Sequence, residues 1–376
     1  MKSMLVITPG YPIKGDPVYP FIKNLSDEFI KSGLSITVIS PQSVTSALLH
    51  HKRLRPIVRK EHVDGKTVTV YQPYSITPLH KHLRAYNYAI RKSVLRFLRK
   101  NKICADVCYC HFWCSAYWVM PYMKKHDIPV FVASGESQIK TLLSVEIDYP
   151  DFREFVKGVV CVSSKNREES IGLGYTTRDK CIVLPNAVNK LLFKKQNKEE
   201  CRRQLGMPID AFIVAFVGWF IERKGPRRVA EAISRVNNVN SIFVGEGEQE
   251  PICNGILFKG PLPHEQIPKY LGTADCFVLP TLHEGCCNAV VEAMACGLPI
   301  ISSNLSFNWD VLDESNSILI DPLNVEMISE AIRTLQDNKE LCESLSEGAI
   351  KKAESLTIEK RAMGILNFIR SRLYNQ

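Results

Sequence analysis

Residues 212–247, FIVAFVGWFIERKGPRRVAEAISRVNNVNSIFVGEG, combine two kinds of local pattern. An apolar run predicts a buried strand, a loop with glycine follows, and a segment with helical spacing leads to a second apolar run. The same order occurs near the start of the chain, in residues 4–40. Strands that alternate with helices predict parallel sheets covered on both faces. The sequence therefore predicts an α/β protein with two doubly wound, Rossmann-like domains.

Length and composition agree with this class. A chain of 376 residues with 45% hydrophobic and 23% charged residues has the size and balance of a two-domain globular protein. It contains no run of about 18 apolar residues, so no membrane span is expected. The apolar run before Pro9 is too short for a signal-peptide core. Thirteen scattered cysteines without a secretion signal predict reduced thiols in the cytoplasm.

Positive charge is concentrated in the first part of the chain. Residues 1–150 carry 21 Lys+Arg and 10 Asp+Glu, whereas the rest carries 27 and 29. Residues 79–102 contain eight of these cations, no acid, and apolar residues at helical spacing, and residues 52–60 add five more. We expect peripheral contact with an anionic membrane and no nucleic acid partner. The alternative is a core helix with a solvated basic face.

Domain boundaries are marked by a turn and by a final helical pattern. Pro185-Asn186-Ala187 follows an apolar strand and indicates the crossing between domains. We therefore expect an N-terminal domain at 1–186 and a C-terminal domain at 187–355. An amphipathic closing helix at 356–376 is expected to pack back on the N-terminal domain.

Two glutamates interrupt the apolar stretch 282–299, LHEGCCNAVVEAMACGLP. Charge in such surroundings costs free energy unless it is paired. A helix is predicted from near Cys286 to Gly297, where glycine and a following proline end it. The free amides and dipole of its first turn favour an anion, so a phosphate is expected at residues 285–288.

The spacing of the two glutamates suits a nucleotide diphosphate sugar. Glu292 lies about 9–10 Å along the helix from Gly285, where a carboxylate can accept hydrogen bonds from two ribose hydroxyls. Glu284 lies on the other side of the phosphate, where a sugar would be. The alternative is a solvent-facing Glu292 and an ordinary loop Glu284. A helix that is apolar all round is normally buried, which weakens that alternative.

Other loops contribute further candidates. Arg223 and Lys224 lie between a strand and a helix, where cations can neutralise a diphosphate leaving group, although a solvated basic loop is the alternative. Gly15, in the first strand–helix loop, could approach a phosphate. That loop lacks GxGxxG, and no GxxxxGK[ST] is present, so a dinucleotide fingerprint and a P-loop are not supported.

His111 closes a predicted strand and is either a functional or a core histidine. Around it stand four cysteines without the paired spacing that is typical of zinc sites, so metal binding is disfavoured. The four are Cys104, Cys108, Cys110 and Cys114.

Several of these motifs resemble one enzyme family. Residues 284–301 resemble the E-x7-E signature of the retaining nucleotide-sugar glycosyltransferases of family 4. Residues 216–226, FVGWFIERKGP, resemble its phosphate loop, and residues 183–189, VLPNAVN, its interdomain PNG segment. FVGEGEQE at 243–250 resembles its glycine turn. The resemblance extends over most of residues 155–340 and more loosely over the N-terminal part.

The resemblance implies a GT-B fold, with two domains that face a cleft, the donor in the C-terminal domain and the acceptor in the N-terminal one. It implies Glu292 on the donor ribose, Glu284 at the donor sugar and His111 beside the reacting carbon. It also implies retention of configuration by same-face attack, without metal or cofactor. The residues implied at the diphosphate are Arg223 and Lys224, with the amides of Gly285, Cys286 and Cys287.

The expected function is a hexosyltransferase that uses a nucleotide-diphosphate sugar. Its acceptor is expected to be a lipid-linked saccharide of polysaccharide, glycolipid or lipopolysaccharide assembly, at the cytoplasmic face of the inner membrane. A nucleotide-sugar epimerase and a catalytically silent membrane or assembly partner on the same fold remain alternatives.

The sequence also departs from the family pattern. Trp219 stands where arginine is frequent, and Arg223 is a candidate to supply that charge. Ala187 replaces the glycine of PNG, and Pro20 occupies a frequent glycine position. Cys286 and Cys287 replace an aromatic–glycine pair, which leaves their amides available.

Overall fold

A computed structural model describes residues 1–13, 19–78, 83–139 and 150–374. The chain divides into two compact units. The first comprises Met1–Leu184 with Arg361–Gln376, and the second comprises Pro185–Lys360.

The first unit contains ten strands and the helices between them within the described residues. In chain order these elements are β1 (Ser3–Ile7), α1 (Pro20–Lys31), β2 (Ser35–Ile39), β3 (Gln42–Ser43), α2 (Val44–Leu49), β4 (Val58–Val63), β5 (Lys66–Tyr71), β6 (Tyr74–Ser75), α3 (Leu83–Asn101), β7 (Val107–His111), α4 (Trp113–Lys125), β8 (Val130–Ser134), α5 (Pro150–Phe155), β9 (Val156–Cys161), α6 (Ser164–Gly172), a 3₁₀ turn (Arg178–Lys180) and β10 (Cys181–Val183).

Eight of these strands form one sheet in the order β10-β9-β8-β7-β1-β2-β5-β4, parallel except for the pair β4–β5. Every residue of β7 and β8 is buried, as expected for central parallel strands covered on both faces. Side chains of β7 alternate between two apolar clusters. Cys108 and Cys110 pack with Trp113, whereas Val107 and Tyr109 lie on the opposite face.

The second unit supplies a smaller parallel sheet. Its elements are α7 (Lys198–Leu205), β11 (Phe212–Val217), α8 (Pro226–Ser234), β12 (Val239–Val244), β13 (Ile256–Gly260), a 3₁₀ turn (His264–Gln266), α9 (Ile267–Leu271), β14 (Cys276–Leu279), α10 (Asn288–Ala295), β15 (Ile300–Ser303), β16 (Ser317–Ile320), α11 (Val325–Asp337) and α12 (Lys339–Ala353), and helix α13 (Ile358–Tyr374) begins at its end.

The strand order of this sheet is β13-β12-β11-β14-β15-β16. From β11 the chain adds strands in one direction, and from β14 it adds them in the other. Ligands of open parallel sheets bind beyond the carboxyl ends of the strands where the order reverses. In this unit that point lies between the loops that follow β11 and β14.

The predicted α/β class with two Rossmann-like domains is confirmed. The predicted boundaries, after residues 186 and 355, differ slightly from the division of the two units. Residues 356–360 stay with the second unit because Thr357 bridges Val188, whose N–H donates to Leu356 at 2.9 Å. The rest of α13 belongs to the first unit, where Ile365 and Ile369 lie in its apolar core. None of the helices in the described part of the chain is long and apolar enough to span a membrane.

Candidate active site

The loops after β11 and β14 bring three of the predicted site residues together. Lys224 Nζ lies 2.6 Å from Glu284 Oε1, and the guanidinium of Arg223 donates to the same oxygen. The Thr281 hydroxyl also donates to it, at 3.1 Å. The Leu282 amide donates to the carbonyl of Arg223 at 2.9 Å, which joins the two loops directly. Glu284, predicted at the donor sugar with an ordinary loop glutamate as the alternative, is therefore the centre of a charge cluster.

Glycines let the backbone take this shape. A side chain on Gly245, after β12, would place its Cβ 1.9 Å from the carbonyl oxygen of Gly218. Only glycine permits this close approach of the two loops. Gly225 has φ 75°, the left-handed region, directly before Pro226 begins α8.

The cluster keeps Lys224 and Glu284 charged although both side chains are largely buried. Burial alone would raise the pKa of Glu284, but Lys224 and Arg223 outweigh it and hold that pKa below the usual value. Burial likewise opposes the charge of Lys224, yet Cys287 and Glu284 leave its pKa raised. Two cations against one carboxylate leave one positive charge, which suits an anionic ligand.

Helix α10 begins later than predicted. Cys287 has an extended backbone and is the N-cap, so the first helical residue is Asn288, and the prediction of a start near Cys286 was wrong. The helix ends at Ala295, and Gly297 follows with φ 79°. The amides of residues 285–287 therefore belong to the loop before the helix, and the orphan amides of the first turn begin at Asn288.

The loop itself is anchored by a residue that sequence reasoning used only as a boundary marker. Asn186 Nδ2 donates to the carbonyl of Cys286 at 2.9 Å. Cys286 and Cys287 are buried, and Lys224 Nζ lies 3.6 Å from Cys287 Sγ. The Cys287 side chain is therefore in contact with the charge cluster.

Glu292 has a partner that was missed. Its side chain is only 15% exposed, so the solvent-facing alternative is wrong, and its Oε1 lies 2.9 Å from Nε2 of His264. The His264 ring packs against Phe193, with ring centroids 5.1 Å apart. The hydrogen bond to Glu292 is the main cause that raises the pKa of His264. His264 was not singled out from the sequence, because no local pattern ties it to Glu292.

His111 closes β7 and is buried in the first unit. Burial, with a further contribution from Arg361, lowers its pKa to about 3. The imidazole is therefore neutral near pH 7. Phe112 follows with φ 73°, and α4 then starts, with the Trp113 amide donating to the buried carboxylate of Glu136 at 2.8 Å.

The remaining candidates are placed as follows. Gly15 lies outside the described residues. Trp219 is exposed, whereas Arg223 points into the Glu284 cluster. Within residues 1–13, 19–78, 83–139 and 150–374, no three His, Cys, Asp or Glu side chains are arranged to hold a metal ion. Of the cysteines around His111, Cys104 is exposed and Cys108 is buried.

Comparison with known proteins finds one family model that matches within the second unit. Residues 197–352 match the family model for glycosyl transferases group 1. Over 356 residues, 88% of each chain, the protein is 29% identical to the "Putative teichuronic acid biosynthesis glycosyltransferase TuaC" of Bacillus subtilis. It is also 29% identical over 202 residues to an Escherichia coli enzyme, "UDP-Gal:alpha-D-GlcNAc-diphosphoundecaprenol alpha-1,3-galactosyltransferase", covering 49% of this chain and 52% of that one.

Solved structures share the fold at low identity. Sucrose-phosphate synthase of Thermosynechococcus elongatus superposes with a TM-score of 0.79 at 16% identity, over 100% of both chains. Anabaena Alr3699/HepE in complex with UDP-glucose gives 0.73 at 15% identity, over 99% of this chain and 100% of that one. With the charge cluster at the switch point of the second Rossmann-like unit, these matches show that residues 197–352 form a domain of the glycosyl transferases group 1 type and that the chain has the GT-B fold.

Proposed function

We propose that the protein transfers a hexose from a nucleotide-diphosphate sugar to a lipid-linked saccharide, with retention of the anomeric configuration. The observation that carries this proposal is the Glu284 carboxylate held by Lys224 and Arg223 at the switch point of the second unit. The names of relatives agree with it, since TuaC is named for teichuronic acid biosynthesis and the Escherichia coli enzyme for UDP-Gal and a diphosphoundecaprenol acceptor.

The donor diphosphate would lie against the two cations and the loop amides of residues 285–287. Lys224 and Arg223 neutralise the charge that develops on the leaving phosphate as the bond from the sugar C1 to its oxygen breaks. Glu284 accepts hydrogen bonds from the sugar, and Glu292 from the ribose hydroxyls. His111, neutral because it is buried, contributes hydrogen bonds to the sugar.

Retention follows in this proposal from attack on the face that the leaving group occupied. The acceptor oxygen forms the new bond to C1, and its proton passes to the leaving phosphate oxygen. Neither a metal nor a cofactor is proposed, because the cations of the loop already supply the positive charge at the leaving group.

The proposed location is the cytoplasmic face of the inner membrane. The lipid-linked acceptor would be found there, and α3 presents cations toward solvent in the first unit. The protein would bind this surface peripherally.

The test is donor binding followed by product analysis. Calorimetry against nucleoside diphosphates and nucleotide sugars should identify one donor, and NMR of the product should show the same anomeric configuration as the donor. An epimerised nucleotide sugar formed without an acceptor would replace the proposal with an epimerase. An inverted product would contradict retention.

A further inference from the structure

The first unit carries a segment that combines exposed leucines with cations. Residues 48–60, LLHHKRLRPIVRK, contain five Lys+Arg and no acid. Leu48 is 71% and Leu49 54% exposed, and Leu54, Ile57 and Val58 are also exposed. A group of large exposed apolar side chains close together in the sequence is a candidate contact surface. We call residues 48–60 the basic-apolar segment.

Hydrogen bonds hold this segment in place with its leucines outward. Ser43 caps α2, accepting from the Ser46 amide at 3.0 Å. The Gln42 side chain pairs with the backbone of Arg55, donating to its carbonyl at 2.9 Å and accepting from its amide at 2.8 Å. The Tyr74 hydroxyl donates to the same carbonyl at 2.7 Å. The exposed apolar side chains therefore sit on an ordered scaffold.

Strand β6 connects the segment to helix α3. The Ser93 hydroxyl of α3 donates to the Tyr74 carbonyl at 2.7 Å, and Ile76, just after β6, is 84% exposed. Along α3 one exposed line recurs at a spacing of three or four residues and contains mainly cations. Its members are Arg84, Tyr88, Lys92, Arg96 and Arg99.

The cations of this surface are of two kinds. Arg59 reaches inward and donates to the Pro12 carbonyl at 2.6 Å, and Arg91 of α3 lies over the Tyr117 ring at 4.4 Å. Lys52, Arg53 and Lys60, by contrast, are exposed and form no ion pair with any residue that the structure describes. Residues 29–60 and 65–105 contain no Asp or Glu, although the adjacent Glu61 pairs with Arg59 at 2.9 Å. The segment therefore keeps a net positive charge.

Leucines and cations together suit a lipid interface better than other anionic partners. Phosphate oxygens of nucleic acid or of a free nucleotide would use the cations and leave the leucines in water. At a bilayer, apolar side chains enter between the headgroups while lysine and arginine stay at the phosphates. Anionic lipid adds electrostatic attraction that salt screens, whereas burial of leucine does not depend on salt in that way.

We propose that the basic-apolar segment, with Ile76 and the exposed line of α3, inserts into the interface of an anionic bilayer. The inference deepens the proposed function, on which it rests for the presence of a lipid-linked acceptor at that surface. It predicts two separable components of binding, one electrostatic and one apolar and resistant to salt.

The experiment measures partition onto vesicles of phosphatidylcholine with or without phosphatidylglycerol, at low and high salt. The unaltered protein should bind anionic vesicles at low salt and remain partly bound at high salt. The triple variant Leu48→Ser/Leu49→Ser/Leu54→Ser should lose the salt-resistant fraction, and its partition should fall about tenfold or more. The variant Lys52→Gln/Arg53→Gln/Lys92→Gln/Arg96→Gln should lose the preference for anionic lipid.

A matched control is available in the second unit, where Leu191 is 87% exposed and Leu323 is also exposed. The variant Leu191→Ser/Leu323→Ser should partition as the unaltered protein does. Insertion itself can be followed with Leu49→Trp, whose fluorescence brominated lipid should quench.

Several results would overturn the inference. One is that the leucine variant partitions onto vesicles as strongly as the unaltered protein does. Another is that brominated lipid fails to quench the fluorescence of Leu49→Trp on bound vesicles. A third is that ultracentrifugation shows self-association that depends on the leucines, while the protein does not bind lipid. Donor calorimetry on the same variants separates the two proposals. If vesicle binding fails while donor binding is normal, the proposed sugar transfer is retained and the membrane inference is wrong. If the protein binds vesicles but no nucleotide sugar, only the membrane inference is retained.

Discussion

His264 Nε2 lies 2.9 Å from Glu292 Oε1 and ties the 3₁₀ turn after β13 to helix α10. Glu292 is the residue proposed to hold the donor ribose, so its carboxylate is oriented before any ligand arrives. Each carboxylate oxygen has two lone pairs, so His264 and a ribose hydroxyl can share this group. His264 is accordingly a positioning residue in the proposed donor site.

The pair predicts a pH dependence of stability. Its hydrogen bond raises the pKa of His264 in the folded state, against burial that would lower it, while the unfolded value is about 6.5. The contribution of this pair to the free energy of unfolding is therefore fully present below pH about 6.5, and it is lost as pH rises through the raised pKa of His264. Because His264 is partly exposed, we expect at most about 1 kcal/mol. The thermal midpoint of His264→Gln, measured from pH 5 to 9, should not show this pH-dependent stabilisation. If the midpoint of the variant changes with pH in parallel with that of the unaltered protein, the assignment is wrong.

Removal of the Glu292 carboxylate should weaken the donor. We expect Glu292→Ala to lower the affinity for the donor nucleotide by about 1.5–3 kcal/mol, the loss typical of a charged hydrogen bond. The fold should survive. Glu330→Ala, an exposed glutamate of α11, is the matched control. Unchanged affinity of Glu292→Ala in calorimetry would remove Glu292 from the site.

Lys224 should act mainly on the chemical step. Without its ammonium the leaving diphosphate loses one of its two nearby cations, so Lys224→Ala should lower turnover far more than it lowers acceptor binding. Arg227→Ala, an exposed cation at the start of α8, is the control. Steady-state rates against acceptor concentration make the comparison.

The proposed absence of a metal is tested on the unaltered enzyme. Activity should persist in excess EDTA, because the loop cations supply the positive charge. Complete loss of activity, restored by magnesium or manganese, would show that this mechanism is wrong.

His111 predicts acid sensitivity of the first unit. Its folded pKa of about 3 lies below the unfolded value of about 6.5, because burial excludes the charged form. The unfolded chain therefore takes up a proton that the folded chain does not, and stability falls as pH drops from about 6.5 toward 3. His111→Gln should remove this slope, at most about 1.4 kcal/mol per pH unit, in denaturant titrations.

The same variant tests the catalytic role. Turnover should fall in His111→Gln while donor affinity stays, because the proposed nucleotide contacts lie in the second unit. His126→Gln, an exposed histidine after α4, should change neither quantity. Donor affinity that falls as far as in Glu292→Ala would place His111 differently from our proposal.

Local patterns by themselves determined several elements of both units. The strand at 212–217 and the helix α3 follow from hydrophobic periodicity, because that period depends only on neighbouring residues. In α3 the buried Ile90, Val94 and Leu98 repeat as the pattern predicted. The spacing of Glu284 and Glu292 is equally local, and it indicated a donor site before any contact was known.

Only the tertiary structure decided which charges meet. Lys224 reaches Glu284 because β11 and β14 are neighbours in the sheet, although β12 and β13 lie between them in the chain. His264 meets Glu292 for a similar reason, across the turn after β13. Strand order results from packing of the whole unit, so no short segment encodes it. The inward turn of Arg91 onto Tyr117 depends on the packing of α3 against α4, and charge spacing along one helix carries no information about that neighbour.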